Sequence, residues 1–169
     1  MASMRDIQRR KVSVQSTGQI TKAMKLISTV KLQKAKERAE KSKPYFEGMY
    51  STVAQILSRS GNINHRYLKH QEGKKKAVIV ISSNRGLAGG YNSNIVKLLT
   101  NNPEFNSENT VIYSVGNKAR DGLIRKGYKV VCDHSHVMED PIYADAMEIS
   151  KEVLSAFENG EIGEIYIAY

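Results

Sequence analysis

Three side chains in the second half of the chain are of types that bind transition metals. Cys132, His134 and His136 alternate in the sequence, so on an extended strand all three would lie on one face. Thiolate and imidazole groups are common zinc ligands. On a strand, however, such donors are spread about 6–7 Å apart at each step. We therefore interpret the three as polar residues of an edge strand and predict no metal site.

Residues 82–90 (SSNRGLAGG) have the composition of a phosphate-binding turn and follow a short apolar run. Glycine-rich turns and helix N-termini favour anions, and doubly wound folds bind ligands where such turns lie. The spacing matches neither G-x-G-x-x-G nor G-x-x-x-x-G-K-[ST], and no lysine starts the helix that follows. We interpret Gly86, Gly89 and Gly90 as a tight strand-to-helix turn and predict no bound nucleotide or other cofactor.

No arrangement of nucleophile, base and orienting group emerges from the sequence. Ser82 and Ser83 lack the G-x-S-x-G context of a nucleophile elbow. Pairs of carboxylates are indistinguishable from ordinary surface charge. We predict no catalytic residues and no enzyme activity of the chain by itself.

The residues after 76 alternate between apolar runs and helical patterns. The expected strands cover 77–81, 110–115, 129–132 and 164–169. The expected helices cover 92–100, 117–126 and 141–159, the last with Asp140 as its N-cap and Gly160 as its stop. Strands alternating with helices predict a doubly wound, Rossmann-like α/β domain over 77–169, after a flexible linker at 61–76. The final strand ends with the chain, so we expect this domain to be truncated.

Residues 1–60 read as a long helix that precedes this domain. Ser3 is a suitable N-cap, with Asp6 in the capping-box position, and no proline occurs before Pro44, which either kinks or restarts the helix. A helix over 3–43 spans about 60 Å, more than a domain of this size can cover. Its apolar stripe therefore needs a partner, as in a coiled coil. The stripe includes Ile7, Val14, Ile20, Ile27 and Val30.

All of the net charge lies in the first quarter of the chain. Of 169 residues, 26 are basic and 17 acidic; residues 1–43 hold 12 basic and 3 acidic side chains, and the remainder is balanced. Such segregation indicates an acidic partner, whether nucleic acid, an anionic membrane surface or an acidic protein surface. No apolar run is long enough to span a membrane, and the single cysteine suits a reducing compartment.

Several separated motifs, in the same order along the whole chain, resemble the gamma subunits of F-type ATP synthases. They are residues 4–10 (MRDIQRR), 20–26 (ITKAMKL) with 31–32 (KL), 44–45 (PY), 83–92 (SNRGLAGGYN), 143–146 (YADA) and 160–169 (GEIGEIYIAY). The turn departs from the family pattern, which usually has Asp before the Arg. The absence of a transit peptide and of a regulatory dithiol insert resembles bacterial members.

The resemblance implies a non-catalytic rotor. Its N-terminal helix forms half of an antiparallel coiled coil inside a ring of alternating alpha and beta subunits, and its rotation couples ion flow to ATP synthesis. Lys22, Met24 and Lys25 are implied to face acidic loops of the beta subunits, with Arg85 nearby. The implied partners also include the epsilon subunit and the membrane c-ring, at the cytoplasmic face of a bacterial membrane, with no nucleic acid.

The long C-terminal helix of that family has no counterpart in these 169 residues. We therefore expect the chain to be a fragment that self-associates through its first helix or leaves that helix partly disordered. The alternative function is nucleic-acid binding by the basic helix. A nucleotide-dependent enzyme built on the α/β domain is a third interpretation.

Overall fold

A computed structural model describes residues 3–61, 64–68 and 73–169, and part of the predicted linker lies outside these ranges. The chain divides into two compact units, one up to residue 63 and one from residue 64 onward. Each unit is described by itself below.

In its described residues the first unit is a single helix, α1, which runs from Met4 to Arg59. The Ser3 hydroxyl accepts a hydrogen bond from the Arg5 amide, and the Asp6 carboxylate accepts one from the Ser3 amide, both at 3.3 Å. These bonds satisfy amides that have no partner inside the helix, so the predicted cap is confirmed. With 56 residues, α1 is about 84 Å long.

Pro44 lies inside α1 and does not end it, so of the two alternatives left open at this residue, a kink or a restart, the helix does not restart. Proline has no N–H to donate to the carbonyl four residues earlier, which weakens the ladder at one turn. Exposed ion pairs of the i,i+4 type lie on either side, Lys36 with Glu40 at 3.7 Å and Lys43 with Glu47 at 3.6 Å. Such pairs stabilise a helix by a few tenths of a kcal/mol each.

The second unit is built on a four-stranded sheet. Its strands are β1 (Lys75–Ile81), β2 (Thr110–Val115), β3 (Lys129–Asp133) and β4 (Ile162–Ala168). Every pair of neighbours is parallel, and the order across the sheet is β3-β2-β1-β4. The chain therefore moves outward from β1 to β3 and then returns to the opposite side of β1.

Three helices cover the two faces of this sheet: α2 (Tyr91–Thr100), α3 (Asn117–Ile124) and α4 (Tyr143–Glu158). One buried cluster joins α2 and α3 to one face through Val78, Val80, Ile95, Leu99, Ile112, Ala119 and Leu123. The other joins α4 to the opposite face through Ala77, Val111, Tyr113, Val115, Ile149, Val153 and Phe157. Helices on both faces of a parallel sheet confirm the predicted doubly wound α/β class.

Some boundaries differ from the predicted ones. The Asp140 cap is wrong: α4 begins at Tyr143, and the Asp145 carboxylate accepts a hydrogen bond from the Ile142 amide at 2.9 Å. The last strand begins at Ile162, two residues before its predicted start, and its register with β1 shifts between Lys75 and Lys76. Composition alone does not reveal such a shift.

Part of the segment predicted as a flexible linker belongs to the second unit. Residues Arg66–Leu68 form a 3₁₀ turn. The Tyr67 hydroxyl donates to the Glu158 carboxylate at 2.7 Å, and Arg66 lies 3.1 Å from the same carboxylate. The Tyr67 ring packs against Phe157 with 6.1 Å between centroids, which ties this turn to the end of α4.

Candidate functional site

The residues predicted to contact a partner through α1 are all exposed, but they do not share one face. At 3.6 residues per turn, Lys22 and Lys25 lie about 60° apart, whereas Met24 lies about 160° from Lys22. Met24 is instead within about 60° of Ile20 and Ile27. The helix therefore carries the two lysines on one side and Met24 on its apolar stripe.

The apolar stripe of α1 is open along its length. The five side chains predicted to form it are 46–71% exposed, and within the described residues α1 contains no buried side chain. The stripe continues beyond Pro44 with Phe46, Met49, Val53 and Ile56, spaced three, four and three residues apart. This is the a/d spacing of a coiled coil. An exposed apolar surface of this extent is typical of a protein–protein interface.

Polar groups of the turn after β1 accept hydrogen bonds from the first turn of α3. The Ser82 hydroxyl accepts from the Ala119 amide at 3.0 Å, and the Asn84 side chain accepts from the Asn117 amide at 3.1 Å. The Lys118 amide donates to the Ser83 carbonyl at 3.0 Å. The first three amides of α3 are therefore satisfied within the fold rather than left open for an anion.

The tip of this turn is exposed. Arg85 projects into solvent, and Leu87 is 95% exposed with a φ of +61°, a conformation that few non-glycine residues adopt. Arg85 belongs to the second unit and the lysines of α1 to the first. The partner-binding roles of Lys22, Met24, Lys25 and Arg85 stay predictions.

The structure brings together two of the three side chains considered for metal binding and adds a third from elsewhere. The register between β2 and β3 pairs Ile112 with Val130 and Tyr113 with Cys132, so Val131 is an extra residue in β3. This bulge turns Cys132 toward the face covered by α4. There, ligand atoms of Cys132, His134 and Glu152 lie within 4.8 Å of one another.

Hydrogen bonds connect the three side chains. Nε2 of His134 lies 2.9 Å from Oε2 of Glu152, and the His134 side chain is 6% exposed. Burial, together with the Glu152 carboxylate, raises the pKa of the Cys132 thiol to about 11. Hydrogen bonds from Cys132 and then His134 hold the pKa of the Glu152 carboxyl below its ordinary value.

His136 does not join this cluster. β3 ends at Asp133, one residue beyond the predicted end, and residues Ser135–Met138 form a 3₁₀ turn, so the interpretation of His136 as a residue of an edge strand is wrong. His136 is exposed, with its ring centroid 6.1 Å from that of His134. No motif or spacing pointed to Glu152, because its contact with Cys132 and His134 depends on how α4 packs across the sheet.

In the part of the chain that the structure describes, no helix is both long and apolar enough to cross a membrane.

Comparison with known proteins shows the family of the chain. The family model described as ATP synthase matches residues 3–169. The chain belongs to the family of ATP synthase gamma chains. It is 62% identical over 169 residues to the ATP synthase gamma chain of Lachnoclostridium phytofermentans, covering all of this chain and 58% of that protein.

Two further gamma chains are more distant. The chain is 40% identical to the ATP synthase gamma chain, sodium ion specific, of Acetobacterium woodii. That alignment covers 99% of this chain and 55% of the relative. It is 39% identical to the ATP synthase gamma chain of Ruminiclostridium cellulolyticum, and that alignment covers 99% of this chain and 58% of the relative. The chain thus spans somewhat more than half the length of these curated relatives.

Proposed function

We propose that this gamma chain is the central rotor of an F-type ATP synthase, coupling ion flow through the membrane sector to ATP synthesis. In this proposal the chain performs no catalysis by itself. It turns inside the ring of alpha and beta subunits and changes the catalytic sites of the beta subunits in succession. Membership of the gamma family supports the proposal.

The observation that carries the proposal is α1. A shaft requires a stiff element longer than the unit it is joined to, and α1 is one uninterrupted helix of 56 residues. Its exposed apolar stripe supplies a surface for a second helix, in the antiparallel coiled coil that the family resemblance implies. Two paired helices resist bending better than one alone.

The charge on α1 suits a surface that must slide. We propose that Lys22 and Lys25 contact acidic loops of the beta subunits, that Met24 packs within the apolar stripe, and that Arg85 adds a contact from the second unit. Exposed pairs of opposite charge contribute about 0–1 kcal/mol each, so they can be exchanged as the shaft turns. Contacts that were much stronger would hold the rotor at one position.

The remaining partners follow from the same proposal. The second unit meets the epsilon subunit and the membrane c-ring, and the complex lies at the cytoplasmic face of the bacterial cell membrane, with this chain attached peripherally. Nucleic-acid binding by α1 is not proposed, because membership of the gamma family accounts for both the basic charge and the exposed stripe.

The decisive experiment observes rotation directly. The full-length protein, carrying Cys132→Ser and Lys97→Cys at an exposed position, is assembled with the alpha and beta subunits of the same organism. The ring is fixed to a surface and a bead is attached at residue 97. We expect stepwise rotation of the bead in one direction when ATP is added. ATP hydrolysis by the assembled complex without rotation would refute the rotor function.

A charge reversal tests the proposed contact residues. Lys22→Glu combined with Lys25→Glu is expected to lower the rate of ATP synthesis severalfold in the assembled complex. The matched control, Lys31→Glu with Lys34→Glu, makes the same charge change at the same spacing on the same helix. Equal losses from the two pairs would show that charge alone matters and would reject Lys22 and Lys25 as specific contacts.

A further inference from the structure

We propose that Cys132, His134 and Glu152 form a binding site for a divalent transition metal ion, best suited to Zn²⁺. All three residues belong to the second unit. The three side chains come from the end of β3, the turn that follows it and the middle of α4. Their ligand atoms lie within 4.8 Å of one another, close enough to be drawn around one ion by small side-chain movements.

The chemistry of the donors selects the class of metal. A thiolate, an imidazole nitrogen and a carboxylate oxygen are all ligands of Zn²⁺, and the sulfur disfavours Mg²⁺ and Ca²⁺, which take oxygen ligands. Three protein ligands leave a fourth position for a water molecule. On coordination the Cys132 thiol gives up its proton to solvent and binds as the thiolate.

The electrostatics of the cluster suit a cation. When Cys132 and Glu152 are both ionised, the site holds two negative charges at close range beside the buried His134 ring. A divalent ion balances both charges and removes the repulsion between them.

The neighbouring polar residues do not compete for the site. Asp133 is occupied by Arg120, with which it forms an ion pair, and by the hydroxyl of Ser135. The Glu152 side chain is 37% exposed and lies 2.9 Å from the buried His134 nitrogen, so the carboxylate side of the site is open to solvent.

The ligands come from two segments whose outermost members are twenty residues apart in the chain. An ion bound to all three therefore links the end of β3 to α4 and stabilises the folded second unit, since the unfolded chain holds no such site. The bound ion would thus act as a structural cross-link between the sheet and the helix that covers this face.

The test uses the purified full-length protein, stripped of metal and titrated with Co²⁺ as a spectroscopic substitute and then with Zn²⁺. We expect one Co²⁺ per chain, with visible bands of a four-coordinate ion and a near-ultraviolet band from sulfur-to-metal charge transfer. Zn²⁺ should displace Co²⁺ and raise the midpoint of thermal unfolding by several degrees. A protein that gives neither band, and whose unfolding midpoint Zn²⁺ leaves unchanged, would overturn the proposal.

Variants identify the ligands. Cys132→Ser should abolish the charge-transfer band, and His134→Gln and Glu152→Gln should each weaken binding at least about tenfold. Two controls should bind as the parent does: Glu148→Gln, an exposed residue one turn earlier on α4, and His136→Gln. Loss of binding in either control, or a charge-transfer band that survives Cys132→Ser, would reject this ligand set. Circular dichroism of each metal-free variant separates loss of ligands from loss of fold.

Discussion

Gly116, which follows β2, has a backbone that only glycine can adopt. Its φ is +113°, and a Cβ built on it would lie 2.1 Å from the carbonyl oxygen of Ser82. Both the strain and the clash fall on backbone atoms that cannot move away. We expect Gly116→Ala to lower the free energy of unfolding by about 3 kcal/mol or more, measured by chemical denaturation.

The matched control for this change is Gly86→Ala. Gly86 lies in the turn after β1, where nothing lies within 4 Å of the added Cβ. Its effect should stay within about 0.5 kcal/mol. Equal effects at the two positions would contradict the proposed cause at Gly116.

The contribution of Tyr166 to the stability of the fold depends on pH in the alkaline range. Its hydroxyl donates to the Glu164 carboxylate, and this bond, with burial, raises the pKa of the phenol to about 12. Since the folded pKa exceeds the unfolded value of about 10, the contribution is complete below pH 10 and is lost as pH rises from about 10 to 12. The difference in unfolding free energy between the parent and Tyr166→Phe should therefore shrink over that window.

Absorbance of the phenolate provides the second measurement for Tyr166. Removing this tyrosine should delete the part of the titration that occurs near pH 12. The control is Tyr143→Phe, because Tyr143 is 80% exposed. A titration in which Tyr166→Phe deletes a component near pH 10 instead would disprove the bond to Glu164 in solution.

At the scale of elements, two glycines weaken α1 without any role in packing. Gly18 and Gly48 lie inside the helix, and a Cβ at either meets nothing within 4 Å. Replacing each with Ala should stabilise the helix by up to about 1 kcal/mol, seen as greater helical circular dichroism on heating. Gly61→Ala should act in the opposite direction, because Gly61 has a φ of +57° at the end of the helix. Stabilisation by all three changes would contradict this account.

The elements themselves were predictable from local patterns, but their exact ends and faces were not. Thr110–Val115 was predicted with correct bounds, since an apolar run between turn residues is a local signal. The bulge at Val131 was not predicted, although it determines on which face of the sheet the Cys132 side chain lies. It depends on hydrogen bonds with a neighbouring strand, which no short stretch of sequence encodes.

The same limit applies to the candidate sites. Cys132 and His134 drew attention because their types and spacing are visible in the sequence. Glu152 was missed because it reaches them only after α4 packs on the sheet. The helix of α1 was predictable because helical periodicity is a property of one continuous segment. The role of its apolar residues as a coiled-coil face stays a prediction.

At the scale of the whole molecule, the apolar stripe of α1 has a direct consequence in solution. Its side chains are exposed along the helix, and covering apolar surface contributes about 25 cal/mol per Å². We expect the 169-residue chain to self-associate, so that its sedimentation coefficient rises with protein concentration.

Substitution on the stripe separates this cause from the basic charge of α1. Ile27→Gln should shift the association to higher concentration by about tenfold or more, because a polar amide replaces an apolar side chain at the interface without changing the charge. Thr29→Gln is the control, since Thr29 is exposed on the same helix and uncharged but lies about 160° around the helix from Ile27 and about 140° from Met24. If charge repulsion between basic helices controls association instead, added salt will promote it equally in both variants. A chain that stays monomeric at every concentration and salt would contradict the prediction.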